Sequence, residues 1–310
     1  MSASQELLDK IAGRRIVASV SGGKDSAAAR LYLREIGIPD SQVINVAMDT
    51  GWEWSGWRAY VDGPLAAVIG PITIIGNPEG LAAVAVRKGM FPSRLKRWCT
   101  DLLKMGPFAA FLSLLQDDGI DPIVMTGIRY DESAARAKFV EWEWNDGFDA
   151  EQWRPILAWT VQDVIDIHQR HGLAPNPLYL KGAKRVGCWP CIYAGKNEIK
   201  LVADIDPGRI DEIRALEASV TVAAEAIVRK RGEELKQPRT FFHSRAPAGG
   251  ATIDEVVAWS RTLRGGRTED KRIDLLQSAG MNDGCMRWGL CETIADDDDD
   301  ARGLLGSVTP

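Results

Sequence analysis

No stretch of this 310-residue sequence stays apolar for the roughly 20 residues that a membrane-spanning helix needs. The nearest, residues 65–75, is short and interrupted by Gly70 and Pro71. Residues 1–6 lack the basic and apolar segments of a secretory leader, so a cytoplasmic location with no membrane partner is expected. Histidine is scarce, with only His168, His171 and His243, which excludes a histidine-rich metal centre. Five cysteines are too few, and odd in number, for a secreted disulfide scaffold. Net charge is also nearly absent from the body of the chain. The formal charge of −5 equals the five consecutive aspartates at 296–300, so the remainder is neutral. Such a run reads as a solvated acidic tail over 295–310.

What is present is an ordinary globular composition, 45% hydrophobic and 26% charged. Apolar periodicity predicts strands over 15–20, 43–49, 71–75 and 122–126, and a further strand or turn near 154–157. Helices are expected between them, over 26–36, 82–88, 102–116 and 160–171, after a short one at 4–11. Strands alternating with helices predict an α/β fold, a doubly wound parallel sheet with ligand bound beyond the carboxyl ends of its strands. After about residue 175 the pattern becomes helical, with long helices expected over 206–231, 252–263 and 268–279. The expected organisation is a nucleotide-binding domain over 1–175, a mainly helical cysteine-bearing region over 176–294, and the tail.

The sharpest signal is Ser21-Gly22-Gly23-Lys24-Asp25-Ser26 between the first strand and its helix. Glycines let backbone approach an anion, and the free amides and dipole of the following helix favour negative charge there. Lys24 adds a cation, and Ser21 and Ser26 add hydroxyl donors. A Walker A loop would need Gly at 18 and Ser or Thr at 25, where the chain has Ala18 and Asp25. Asp25 and Asp49 are candidate Mg²⁺ contacts; the plainer readings are that Asp25 caps the helix and Asp49 ends a strand. Arg129 and Arg136 suit a second anionic group through bidentate contacts.

Cys188-Trp-Pro-Cys191 is a CxxC, and Cys285 and Cys291 form a second pair. Two pairs of thiols converging on one point make a four-thiolate site, which takes zinc or an iron–sulfur cluster; a thioredoxin-like pair or a buried turn are the alternatives for the CxxC. Six basic residues, Arg87, Lys88, Arg94, Lys96, Arg97 and Lys104, face a single acid, Asp101, over residues 87–104. Such a patch suits an anionic partner, including DNA or RNA as an acceptor. Cys99 lies inside it, and Arg97 and Lys104 are expected to lower its thiol pKa. Most of the 11 tryptophans are expected in the core, with Trp142 and Trp144 in an acidic loop. His168 and His171 are expected to be structural, on a helix away from the motifs.

The SGGKDS loop resembles that of the PP-loop adenine-nucleotide α-hydrolases, which cleave ATP between its α and β phosphates. Asp49-Thr50-Gly51, Arg97-Trp98-Cys99-Thr100 with Lys104, Gly127-Ile128-Arg129 with Ser133 and Arg136, Asn176-Pro-Leu-Tyr179 and the CxxC follow in the order of the phosphoadenosine phosphosulfate (PAPS) reductase branch. The resemblance spans about residues 14–195. Two departures point away from reduction: the loop resembles that of true ATP pyrophosphatases, and the reductases' C-terminal ECGLH motif is absent. The pattern is most similar to the ATP pyrophosphatases of DNA phosphorothioation systems and their phage relatives. That resemblance implies ATP with Mg²⁺, a [4Fe–4S] cluster in preference to zinc, and a cysteine desulfurase or other sulfur donor. It implies nucleotide contacts at Ser21, Gly22, Gly23, Lys24, Asp25, Ser26, Asp49, Thr50, Gly127, Arg129 and Arg136, with Lys24, Asp25, Cys99 and Arg129 in catalysis. Cluster ligands are then Cys188 and Cys191 with two of Cys99, Cys285 and Cys291, the last two preferred. A sulfonucleotide reductase using Cys285 or Cys291 as nucleophile, and a non-catalytic nucleotide-sensing subunit, are the alternative readings.

Overall fold

The structure, a computed structural model, describes residues 4–242 and 251–262. Cys285, Cys291, His243, the helix expected over 268–279 and the acidic tail lie outside the described residues. Six strands, β1 (Arg15–Ser19), β2 (Val43–Asp49), β3 (Ile72–Gly76), β4 (Pro122–Thr126), β5 (Trp142–Asn145) and β6 (Ala150–Trp153), form one sheet. Its order is β3-β2-β1-β4-β6-β5. All neighbouring pairs are parallel except β5 with β6, which is antiparallel at the edge.

Burial on both faces explains why β1 reads as a continuous apolar run. Ile16 and Ala18 belong to a core on one face with Leu31, Leu65, Met125 and Val164. Val17, between them, packs on the other face with Val46, Phe108, Leu112 and Val124. From β1 the chain winds through helix Lys24–Glu35 to β2 and then to β3. It returns through helices Gly80–Lys88 and Gly106–Asp117 to β4 on the opposite side of β1. The sheet therefore has its switch point between the carboxyl ends of β1 and β4, where a ligand crevice opens in this class of fold.

The C-terminal helices make a third core with the loops beyond β2 and β3. Trp52, Leu81, Val84, Phe91 and Trp98 pack with Trp189, Val202, Ile213, Val220 and Phe241. Helix Pro207–Arg229 begins at an Asp206 cap, whose carboxylate accepts from the Arg209 amide, with Pro207 in its first turn. It lies against the end of helix Gly80–Lys88, where a Cβ on Gly89 would stand 2.9 Å from Ala224 Cα. No helix among the described residues is long and apolar enough to cross a membrane.

Three elements differ from expectation. Trp142 and Trp144 lie in β5, not in a loop. Alternation with Glu143 is a strand period, and Trp142 stacks on Trp153 with centroids 5.0 Å apart. Of the strand or turn expected near 154–157, the turn is what forms, directly after β6, a strand that ends at Trp153 and that the periodicity did not mark. A helix, Lys196–Ile205, follows the CxxC directly and had no prominent sequence signal.

The buried Glu217 accepts from the amides of Phe241 (2.9 Å) and Ile253 (3.1 Å) and so ties two C-terminal segments to helix Pro207–Arg229. Burial raises its pKa. Glu217→Ala leaves both amides without that acceptor and is expected to cost about 1–3 kcal/mol, read as a lower urea midpoint.

Candidate functional site: a phosphate loop beside a cysteine pair

The loop after β1 is built by its own side chains. Gly22 has φ +79°, a left-handed conformation open to glycine. Ser26 Oγ donates to the Gly23 carbonyl (3.0 Å) and accepts from the Ser21 amide (3.1 Å), while the Gly23 amide donates to Ser21 Oγ (3.3 Å). Four side chains brace it from outside. Trp57 Nε1 donates to the Ser21 carbonyl (2.9 Å), and Asn176 Nδ2 donates to the Gly22 carbonyl (3.2 Å). His168 Nε2 lies 2.8 Å from the Lys24 carbonyl, and the Lys24 amide donates to the Tyr179 hydroxyl (3.1 Å). His168 is thus at the loop and not away from it. The capping box of Thr160 and Asp163 starts its helix, Val161–Arg170, and burial lowers its pKa. His171 stays structural, 3.2 Å from Glu35.

Asp25 joins the two sides of the switch point. Its carboxylate takes Lys24 Nζ on one oxygen and Arg129 Nε on the other, each at 2.6 Å. Arg129 is 3% exposed, and its guanidinium also donates to the Trp159 carbonyl (3.2 Å). Gly127 is required by close approach: a Cβ there would overlap the Asp25 carbonyl and stand 2.6 Å from Ser26 Cα. Arg136 is half-exposed and pairs with Glu132, which also accepts from the Arg129 amide (3.0 Å).

At the ends of β2 and β3 a cleft of about 430 Å³ is lined by Asp49, Gly51, Ile75, Gly76, Asn77 and Leu81. Asp49 Oδ1 accepts from the Gly51 amide (2.7 Å). Thr50 is buried and donates through Oγ1 to Glu53 (2.7 Å), a carboxylate the sequence reading missed. Glu53 also accepts from the amides of Thr50 and Trp52, both at 3.1 Å, and burial raises its pKa. Its only sequence signal is position, three residues past Thr50 in an otherwise aromatic segment.

Glu53 forms an antiparallel bridge with Cys188, so the CxxC is fastened to the loop beyond β2. Trp189 donates its amide to the Trp52 carbonyl (2.8 Å), and Thr50 Oγ1 lies 3.7 Å from Cys188 Sγ. Lys104 is held among Cys188, Glu53, Cys191 and Cys99. Burial alone would lower its pKa, but these neighbours raise it. The expected lowering of the Cys99 pKa is reversed: burial pushes it up, and neighbouring Cys191 adds to that. Burial likewise raises Cys188. Among the described residues no three potential ligands converge closely enough to hold a metal. Cys188 and Cys191 are soft donors suited to a thiolate site, and Cys285 and Cys291 lie outside the described residues.

The basic stretch over 87–104 does not form one patch. Arg87 is taken by Glu79 through two bonds of 2.8 and 2.7 Å, and Lys104 turns inward. Arg94, Lys96 and Arg97 remain exposed. Arg94 and Arg97 lie over the Tyr193 ring, 5.8 and 5.5 Å from its centroid.

A braced phosphate loop at the switch point of a parallel sheet defines a nucleotide-binding α/β domain of the PP-loop kind. The chain belongs to the phosphoadenosine phosphosulfate reductase domain family, whose profile matches residues 15–194. It is 30% identical to the 37.8 kDa protein in the gpa 5'region of Escherichia phage 186, over 89% of this chain and 96% of that one. It is 36% identical to adenosine 5'-phosphosulfate reductase of Mycolicibacterium smegmatis over 67 residues, 22% of this chain and 28% of that enzyme. Among solved structures, phosphoadenylyl-sulfate (PAPS) reductase from Candida auris aligns with TM-score 0.43 and 18% identity, over 61% of this chain and 97% of that one.

Gly127→Ala is expected to push the loop after β4 off helix Lys24–Glu35. It should lower stability by about 1–3 kcal/mol in urea unfolding and weaken nucleotide binding with it.

Proposed function

We propose that the chain is an ATP pyrophosphatase. It cleaves ATP to AMP and pyrophosphate and uses the adenylyl group to activate an acceptor oxygen for replacement by sulfur. The observation that carries this reading is the complete SGGKDS loop, seated at the switch point with Lys24 and Arg129 both converging on Asp25.

The acceptor oxygen attacks the α-phosphorus, the bond to the bridging oxygen breaks, and pyrophosphate leaves with the electron pair. The loop amides of Gly22 and Gly23, the hydroxyls of Ser21 and Ser26, and Lys24 hold the leaving group. Arg129 stabilises charge on the phosphoryl oxygens, while Asp25 keeps both cations aimed before the phosphates arrive. Asp49 stands at the cleft that takes the nucleoside, with the buried Thr50 behind it holding Glu53, Gly127 lets the loop after β4 close on the phosphates, and Arg136 meets a second anionic group. Asp49 and Asp25 would hold Mg²⁺ as hard oxygen donors. Cys188, Cys191, Cys285 and Cys291 would hold a [4Fe–4S] cluster, which would supply an electron or sulfur relay, or else a zinc ion, which would be redox-inert and structural. Cys99, beside Cys191, handles sulfur delivered by a cysteine desulfurase or similar donor. Exposed Arg94, Lys96 and Arg97 with Tyr193 suit a DNA or RNA acceptor.

The similarity to adenosine 5'-phosphosulfate reductase supports a second reading, a reductase that releases sulfite from a sulfonucleotide. Supplying ATP and adenosine phosphosulfate separately distinguishes them: pyrophosphate from the first supports the pyrophosphatase, sulfite from the second the reductase. Lys24→Ala is expected to lower pyrophosphate release by about 10²–10³-fold with the fold intact by circular dichroism. Cys188→Ser and Cys191→Ser are each expected to strip the anaerobically purified protein of iron and sulfide, measured by elemental and sulfide assay. A colourless wild type carrying one zinc would replace the cluster with a zinc site.

A further inference from the structure

Both backbone polar groups of Lys24 are held by side chains far along the chain. The carbonyl meets His168 Nε2 at 2.8 Å and the amide donates to the Tyr179 hydroxyl at 3.1 Å. Asn176 sets the geometry. Its Nδ2 donates to the Gly22 carbonyl (3.2 Å), and its Oδ1 accepts from the Leu178 amide (3.1 Å), capping the short helix Pro177–Leu180 that carries Tyr179. Tyr179 is only 5% exposed. Its hydroxyl lies over the loop, where a Cβ on Gly23 would stand 3.5 Å away, and Lys24 Nζ is 5.8 Å from its ring centroid.

The Lys24 amide begins helix Lys24–Glu35 and has no partner within that helix. It is the kind of amide that a phosphate oxygen takes at a helix start. A phenol accepts through its oxygen while donating its proton, so a phosphoryl group at the loop lies against the same hydroxyl. We propose that Tyr179 is a phosphate-positioning residue, donating its hydroxyl proton to a phosphoryl oxygen while its own oxygen keeps the Lys24 amide in line. The proposal rests on the phosphate-binding reading of the loop. It assigns Tyr179 a neutral donor's part, complementary to Lys24 and Arg129, two cations that share the single carboxylate charge of Asp25. Burial pushes the phenol pKa up, which keeps the proton on it at neutral pH.

Calorimetric titration of wild-type protein and Tyr179→Phe with inorganic pyrophosphate, ATP and adenosine tests this. The phenylalanine keeps the ring and its packing. Affinity for pyrophosphate and ATP is expected to fall by the same factor, roughly 10- to 100-fold, while adenosine binding stays unchanged and the melting temperature falls slightly, because the Lys24 amide loses its acceptor. Unchanged pyrophosphate affinity overturns the proposal. So does tighter binding, which would mean that the hydroxyl competes with phosphate for the Lys24 amide, and so does an equal loss for adenosine, which would mean general distortion. Wild-type binding of pyrophosphate without ATP would defeat the ATP reading, yet the pyrophosphate ratio would still decide Tyr179. Absence of wild-type binding to both would overturn the two together. If Tyr179→Phe does not fold, near-ultraviolet difference absorbance of wild-type protein on adding pyrophosphate answers the same question. A red shift of a newly donating phenol supports the role, and no shift overturns it.

Discussion

The carboxylate of Asp25, shared between Lys24 and Arg129, holds the site together. Lys24 and Asp25 open the helix that follows β1, and Arg129 lies in the loop after β4, so one side chain spans the switch point of the sheet. Arg129 could not be buried at 3% exposure without a counter-charge, because a desolvated cation is costly unless paired. Gly127 makes the pairing possible by letting the two loops meet backbone to backbone. Lys24 and Arg129 are therefore both held against one carboxylate, which is the preorganisation that the proposed phosphoryl chemistry would draw on.

A second attachment runs beyond β2. The indole of Trp52 donates to the Pro190 carbonyl (3.2 Å), and Arg209 lies 4.5 Å from its ring centroid while donating to the Glu53 carbonyl (2.8 Å). Trp52, the CxxC and the start of helix Pro207–Arg229 are thereby one packed unit. The C-terminal helices give the cysteine segment a packed floor beside the loop beyond β2.

The parallel core was legible because strands buried on both faces leave long apolar runs, and the phosphate loop because its glycines and hydroxyls have few other uses together. The β5–β6 hairpin was less so: its strands are four residues each, and tryptophans alternating with glutamates resemble a polar loop until Trp153 supplies a stacking partner. The braces at His168 and Tyr179 and the carboxylate of Glu53 lie in ordinary-looking segments, because what makes them matter is a contact with backbone distant in sequence. Charge counting misled over 87–104 for a related reason. Whether a cation faces water or is taken by Glu79 or by buried thiols is decided by folding and not by spacing.

The bridge between Glu53 and Cys188 carries a thermodynamic corollary. Thr50, Glu53 and Cys188 share hydrogen bonds or van der Waals contact, so the loop cannot relax at one end independently of the other. Under the proposed function, cysteine chemistry and a nucleotide that favour the same arrangement of this strip would each shift the other's equilibrium by the same factor. The proposed sulfur chemistry and the proposed nucleotide occupancy would then be read out in each other's equilibrium, with no moving domain needed.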